Sequence, residues 1–145
     1  MECTGFSLIA ATAIIGVTLL IAMEIIIGTT IPTLTDVHDS FYDMRNRAIN
    51  QVQTDINITN LGIEVNGSDY DINITVENTG SITLETVYFN ILVNGTEERF
   101  TCSKSFLYPE NEVYFNVSNL QGTGIRTLKV VTNNGISNYH EFNLP

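Results

Sequence analysis

Between Tyr70 and Gly80 the chain reads YDINITVENTG. Tyr70, Ile72, Ile74 and Val76 alternate with polar residues, the period of two that turns one face of a β-strand toward a core and the other toward water. Just upstream, DINITNLGIEV (residues 55–65) is also strand-like, and Asn66-Gly67-Ser68-Asp69 between the two runs is a turn signal. Downstream, strands are predicted at ITLETVYFNILV, ERFTCSKSFLY, EVYFNVSNL, IRTLKVVTN and ISNYHEFNL. Turns between them are marked by Asn78-Thr79-Gly80, Asn94-Gly95, Pro109-Glu110-Asn111, Gly122-Thr123-Gly124 and Asn133-Asn134-Gly135. Seven such strands predict an antiparallel, immunoglobulin-like β-sandwich over residues 56–145. Cys102 is the only cysteine there and Cys3 the only other in the chain, so the sandwich must be held by its apolar core. Ile74 belongs to the inward face.

Working back from the sandwich, the period changes. TLTDVHDSFYDMRNRAINQVQTD (residues 33–55) places Leu34, Val37, Phe41, Met44, Ala48 and Val52 at steps of three and four, with Asp36, Asp39, Asp43, Asn46 and Gln53 opposite. This predicts an amphipathic helical stalk. His38 lies on its polar side with no second ligand nearby and reads as a solvated histidine.

Before the stalk, FSLIAATAIIGVTLLIAMEIIIGTTI (residues 6–31) contains one charge, Glu24. The run exceeds the roughly 20 residues that cross a bilayer core. It has no basic residue ahead of it and is too long for a cleaved secretory signal, which predicts a retained transmembrane helix over residues 1–32. Gly28-Thr29-Thr30 followed by Pro32 predicts a kink or pause. Glu24, about two turns inside the helix end, is either a snorkelling side chain near the headgroups or a contact to a partner helix.

Orientation draws on two signals. Arg45 and Arg47 are the first basic residues and, by the positive-inside rule, favour a cytoplasmic C-terminal part. Five N-x-S/T sequons, at Asn57, Asn66, Asn73, Asn94 and Asn116, all lie beyond the apolar run and can be glycosylated only outside the cytoplasm. The sequons outweigh two arginines more than ten residues from the helix end, so the sandwich is expected outside a single-pass anchor.

The 145 residues carry 16 acidic and 6 basic side chains, a formal net charge of −10. That balance disfavours nucleic acid and an electrostatic grip on anionic lipid. No nucleophile elbow, zinc motif, C-x-x-C or phosphate loop is present, and His38 and His140 fall in different segments. Asn66-Gly67-Ser68-Asp69-Tyr70-Asp71 is oxygen-rich but lacks a calcium loop's downstream bidentate Glu, and a solvated turn explains it. No enzyme activity, metal or cofactor is expected. Contacts with a partner would come from sheet edges or from exposed members of Tyr88, Phe106, Tyr108 and Tyr139, although core packing is the first expectation for each aromatic.

The order of apolar helix, helical stalk and small sandwich is similar to that of archaeal flagellins and type IV pilin-like proteins. Gly5-Phe6-Ser7 resembles the opening of the archaellum accessory protein FlaF. VENTGSITLETVYFNILVNGT (residues 76–96) resembles the β domain of FlaF and its partner FlaG, as does Gly124-Ile125-Arg126 leading to KVVTNNG. The resemblance implies a membrane-anchored accessory or stator protein of the archaellum whose β domain lies in the pseudoperiplasm. There it would bind the surface-layer protein, together with other motor or accessory subunits in a homo- or hetero-oligomer. The alternative is a filament-forming archaellin or pilin-like subunit. Met1-Glu2-Cys3-Thr4 offers no Lys or Arg of a class III signal site, which favours an uncleaved anchor.

Overall fold

The computed structural model describes residues 4–144. The residues weighed above as a processing site, Met1-Glu2-Cys3, lie outside them. Packing divides the chain into two compact units, one up to Arg45 and one from Asn46.

In the first unit, helix α1 (Thr4–Ile25) is apolar on every face apart from the single charge Glu24. Leu8, Ile9, Ile14, Leu19 and Leu20 are all exposed, so within the first unit the described residues leave its apolar faces uncovered. Its threonines return their hydroxyls to the backbone: Thr12 Oγ1 donates to Ile9 O at 2.9 Å and Thr18 Oγ1 to Ile15 O at 2.9 Å. Apart from the Glu24 carboxylate, a helix of this kind keeps its polar groups bonded internally when lipid surrounds it. By length and composition it is the one helix among the described residues able to cross a membrane.

The interruption expected before Pro32 takes the form of a single π turn, Ile26–Thr30, after which helix α2 (Ile31–Gln53) follows directly. Ile31 N–H donates to Ile26 O, five residues back. Proline lacks an N–H and crowds the carbonyl four residues before it, here that of Gly28, and widening the turn relieves that crowding. Thr29 Oγ1 to Ile25 O at 2.6 Å and Thr33 Oγ1 to Thr29 O at 2.7 Å satisfy carbonyls around the wide turn. Proline therefore changes the winding without ending the helix.

The second unit is an antiparallel sandwich. One sheet has the order β1 (Ile56–Asn66), β2 (Asp69–Asn78), β8 (Glu112–Gln121), β6 (Thr101–Cys102). The other has the order β10 (Ser137–Leu144), β9 (Gly124–Val131), β4 (Asn90–Val93), β5 (Thr96–Glu98). A short ladder of β3 (Leu84–Glu85) and β7 (Phe106–Leu107) completes it. Among the described residues ten strands stand where seven were predicted. Residues 82–93 split because a 3-10 turn at Thr86–Tyr88 carries the chain from the short ladder into the second sheet. Thr86 fixes that crossing: it is buried, its N–H donates to Ser105 O, and its hydroxyl donates to Lys104 O. Residues 98–108 divide likewise among β5, β6 and β7.

The predicted alternation holds in β2, where Tyr70, Ile72, Ile74 and Val76 are buried against Phe115, Ile91 and Leu128. In β1 the ladder shifts between Ile58 and Asn60, leaving Thr59 as a bulge. Ile56 and Ile58 face inward before it, and Leu61 and Ile63 pack on the core after it. The bulge reverses parity and sends Asn60, Gly62 and Glu64 outward. A second shift, between Tyr70 and Ile72 against β8, sets Ser118 and Asn119 opposite the single residue Asp71, one extra residue on β8. Asn119 takes φ 61°, and its N–H donates to Asp71 Oδ1 at 2.8 Å.

At the helix-proximal end of this unit, Asn78 is wholly buried and fully bonded. Its Nδ2 donates to Ile82 O at 2.7 Å and Leu107 O at 3.1 Å, and its Oδ1 accepts from Gly80 N–H at 3.0 Å. Gly80 is packed against the chain leaving α2: a Cβ there would lie 2.5 Å from Gln53 O and 2.6 Å from Asp55 N. Asn78→Ala should cost about 2–4 kcal/mol by orphaning buried carbonyls, and Gly80→Ala about 2–3 kcal/mol by forcing backbone apart. Denaturant unfolding of the full chain in detergent measures both. Ser81→Ala, with an exposed side chain in the same loop, is the control expected to change little.

Candidate functional site

Glu24 is the one charge of the apolar run and lies exposed on α1, with no hydrogen bond or ion pair among the described residues. Within the first unit, Thr33, Asp36, Val37, Ser40, Phe41 and Met44 line a shallow trough on α2. His38 is exposed, with Tyr42 edge-on at 4.6 Å.

All five sequon asparagines are exposed. Asn66 and Asn94 occupy the β1–β2 and β4–β5 turns, Asn94 at φ 51° with its Oδ1 accepting Thr127 N–H at 2.9 Å. Asn57, Asn73 and Asn116 stand on strands, and Asn73 and Asn116 are direct cross-strand partners.

The strand asparagines belong to an organised surface. On the outward face of the first sheet, the pairings Asn60↔Thr75↔Tyr114 and Gly62↔Asn73↔Asn116 make two rows, and Glu64↔Asp71 begins a third. These residues line a polar groove of about 240 Å³. Gly62 leaves its floor open. The Asn60 and Asn73 amides and the Thr75 hydroxyl make no hydrogen bond among the described residues, whereas Asn116 Oδ1 accepts from Ser118 Oγ at 2.8 Å.

At the tip of the sandwich, Arg126, Glu98, Asn94, Asn119 and Gln121 border a recess of about 310 Å³ with Tyr70. The Arg126 guanidinium lies across Gly122, which has φ 128° and no side chain to obstruct it. Its Nε is buried without a partner. Tyr70 stacks edge-on to Phe142 at 6.2 Å, and burial pushes its phenol above the ordinary value, opposed by the Arg126 charge.

The four candidate patch aromatics were expected first in the core, and that expectation fails. Tyr88, Phe106, Tyr108 and Tyr139 are all exposed. The first three sit in or beside the 3-10 turn and the two-residue strand β7, too short to bury both of their sides, and Tyr139 lies on the outward face of edge strand β10. Tyr139 is covered in part by Lys129, whose Nζ lies 5.0 Å from the ring centroid. Hydrogen bonding to Lys129, and then to Ser137, draws its phenol below the ordinary value. Cys102 is half-buried and free. Among the described residues no three His, Cys, Asp or Glu side chains converge as a metal site.

Sequence reasoning missed Asn60, Gly62, Thr75 and Tyr114 as a group. Its signal was the break in alternation between Ile58 and Leu61, which marks the bulge that turns them to one face.

No protein-family model and no curated protein sequence matches the chain. Among solved structures, it is similar to a chain of the archaeal flagellum of Methanospirillum hungatei strain JF1. That likeness has a TM-score of 0.71 at 13% identity, over 93% of this chain and 92% of that one. It is also similar to the archaellum periplasmic stator protein FlaG from Sulfolobus acidocaldarius, with a TM-score of 0.53 at 17% identity, over 61% of this chain and 99% of that one. A chain of the FlaF and FlaG stator complex from the same organism aligns with a TM-score of 0.49 at 19% identity, over 60% and 87%. The resemblance read from the sequence motifs is borne out at the level of fold: a helix followed by an archaellum-type sandwich.

Burial of Tyr70 has a consequence for alkaline stability. A phenol raised above its ordinary value of about 10 stays neutral in the folded chain while the unfolded chain ionises. Its contribution is therefore complete below about pH 10 and is lost as pH rises through the folded value. Unfolding midpoints between pH 9 and 11 should fall more steeply for the parent than for Tyr70→Phe. Parallel slopes would show that the phenol titrates as if exposed.

Proposed function

We propose that this chain is a membrane-anchored accessory protein of the archaellum. Residues 1–32 form the anchor, 33–55 the stalk, and 56–145 an extracytoplasmic sandwich that binds the surface layer and holds the motor static. One observation carries the reading: an exposed helix, apolar but for Glu24, precedes a sandwich of archaellum type in the same chain. The helix needs lipid or other helices around it, while the sandwich has a complete core of its own. Such a chain joins a hydrophobic layer to something beyond it.

Other archaellum subunits are the partners at the helix, with Glu24 as the proposed contact to a neighbouring helix. The surface-layer protein is the partner at the sandwich. The exposed aromatics Tyr88, Phe106 and Tyr108 suit an apolar contact better than this acidic chain suits an ionic one. Of the five sequons, Asn57, Asn66 and Asn94 are the proposed glycan acceptors, Asn66 and Asn94 at hairpin turns being the most open to a transferase, whereas Asn73 and Asn116, paired side by side across β2 and β8, stay unmodified in this reading. No catalytic role is assigned.

A filament-forming archaellin or pilin-like subunit is the second reading. It is favoured by a likeness to the archaeal flagellum chain that extends over 93% of this one, helix included.

Protease added to intact cells should remove the sandwich and leave a membrane fragment of about the first fifty residues. Full protection in sealed, right-side-out membranes would place the sandwich in the cytoplasm and end the surface-layer reading. Deleting the gene should leave filaments absent or paralysed, and in parent cells the protein should fractionate with membranes and not with sheared filaments. Recovery as a main component of sheared filaments would select the subunit reading instead.

A further inference from the structure

We infer that the outward face of the first sheet is a binding site for a neutral saccharide, seated over Gly62. The inference rests on the sandwich alone and not on the archaellum reading. The first observation is the glycine itself. Gly62 sits inside an eleven-residue strand, where glycine weakens pairing and any β-former would be preferred. Its backbone does not need glycine: it is not among the positive-φ residues. A Cβ would also meet only Asn73 Cβ and O at 3.8 Å, an ordinary contact. What the missing side chain provides is open space beside Asn73, on the floor of the groove. A strand glycine without a conformational reason marks a place where something approaches the backbone.

The second observation is the bonding capacity around that space. Thr75 is 7% exposed, yet its hydroxyl has no partner among the described residues and it lines the groove. The Asn60 and Asn73 amides are equally unengaged. Each amide offers a donor pair and an acceptor, the complement of adjacent hydroxyl groups on a sugar ring. Tyr114, 49% exposed and paired with Thr75, flanks them with an aromatic face of the kind that covers the apolar side of a pyranose.

The third observation is what the groove excludes. No basic residue lines it, and Glu64 and Asp71 stand at one end, so an anion is disfavoured. Strand β2 has neighbours on both sides, so an extended peptide finds no free backbone edge at the centre of the groove. At about 240 Å³ the groove is smaller than the roughly 300–1,000 Å³ of sites for drug-sized ligands. It suits one or two rings of a longer glycan presented by another molecule.

The full chain, made in a host without N-glycosylation and held in lipid nanodiscs free of sugar detergents, tests the site. The probe is an immobilised panel of neutral hexose and N-acetylhexosamine oligosaccharides. The parent should be retained by at least one of them, and Gly62→Val should weaken retention about ten-fold or more without lowering the unfolding midpoint, because valine fills the space and suits a strand. Tyr114→Ala should weaken the same interaction. Absence of retention by every member of the panel overturns the site, as does equal retention by Gly62→Val. Self-association that Gly62→Val abolishes, without sugar binding, would assign the face to a second copy. Native protein found with a glycan on Asn73 or Asn116 would show the groove filled in cis, and would equally overturn the proposal.

Discussion

The second unit depends on a close approach that only Gly80 permits. The carbonyl of Gln53 and the amide of Asp55 lie where a side chain at position 80 would be. That contact brings Thr79 and Gly80 N–H groups to Asp55 O, both at 3.1 Å, and Ser81 N–H to Gln53 O at 2.9 Å. Asn78 sets the loop that makes the approach, and also holds the turn at Glu110, whose N–H donates to Asn78 O at 2.9 Å. A buried amide whose donors and acceptor are all engaged is stabilising, and the same amide with one partner missing is costly. The short run Asn78-Thr79-Gly80 therefore does much more than turn the chain.

The same economy of position explains the outer face. Strands have a strict parity, and a single extra residue exchanges their faces. Without the bulge at Thr59, the pattern that buries Ile56 and Ile58 would also bury Asn60, Gly62 and Glu64. With it, those three join Thr75, Asn73 and Tyr114 in rows on one surface. Thr59 is held in place by its hydroxyl, which donates to Glu112 Oε1 on β8 at 3.1 Å. One irregularity thus completes the core on one side and assembles a polar lattice on the other.

Much of this was legible in the residues. The uniform apolar run, the stripe at steps of three and four, and the alternation through Tyr70, Ile72, Ile74 and Val76 each reflect one period that burial enforces, so they predict the elements directly. What was not legible depends on contacts distant in sequence. Residues 82–93 read as one strand because alternation cannot show that Thr86 bonds across to Lys104 and Ser105. Tyr88, Phe106 and Tyr108 read as core because large aromatics usually are, and only the short ladder exposes them. Pro32 read as a kink or pause, and the π turn that realises it leaves no distinctive composition. The groove escaped notice because its members come from three strands, and its central residue is a glycine.

The join between α2 and the sandwich bears on how such a chain could carry load. Residues 51–55 bond to the loop after β2, which belongs to the first sheet, through Gln53 O and Asp55 O. They also bond to the β9–β10 hairpin of the second sheet. Gln51 Nε2 donates to Asn134 O at 3.2 Å, and Asn134 Nδ2 donates to Thr54 Oγ1 at 2.8 Å. Asn138 Nδ2 adds a bond to Ile56 O at 3.0 Å, tying edge strand β10 to the start of β1. A pull along the end of α2 is thus divided between two sheets, and cannot unzip β1 alone as it would if the helix simply ran into that strand.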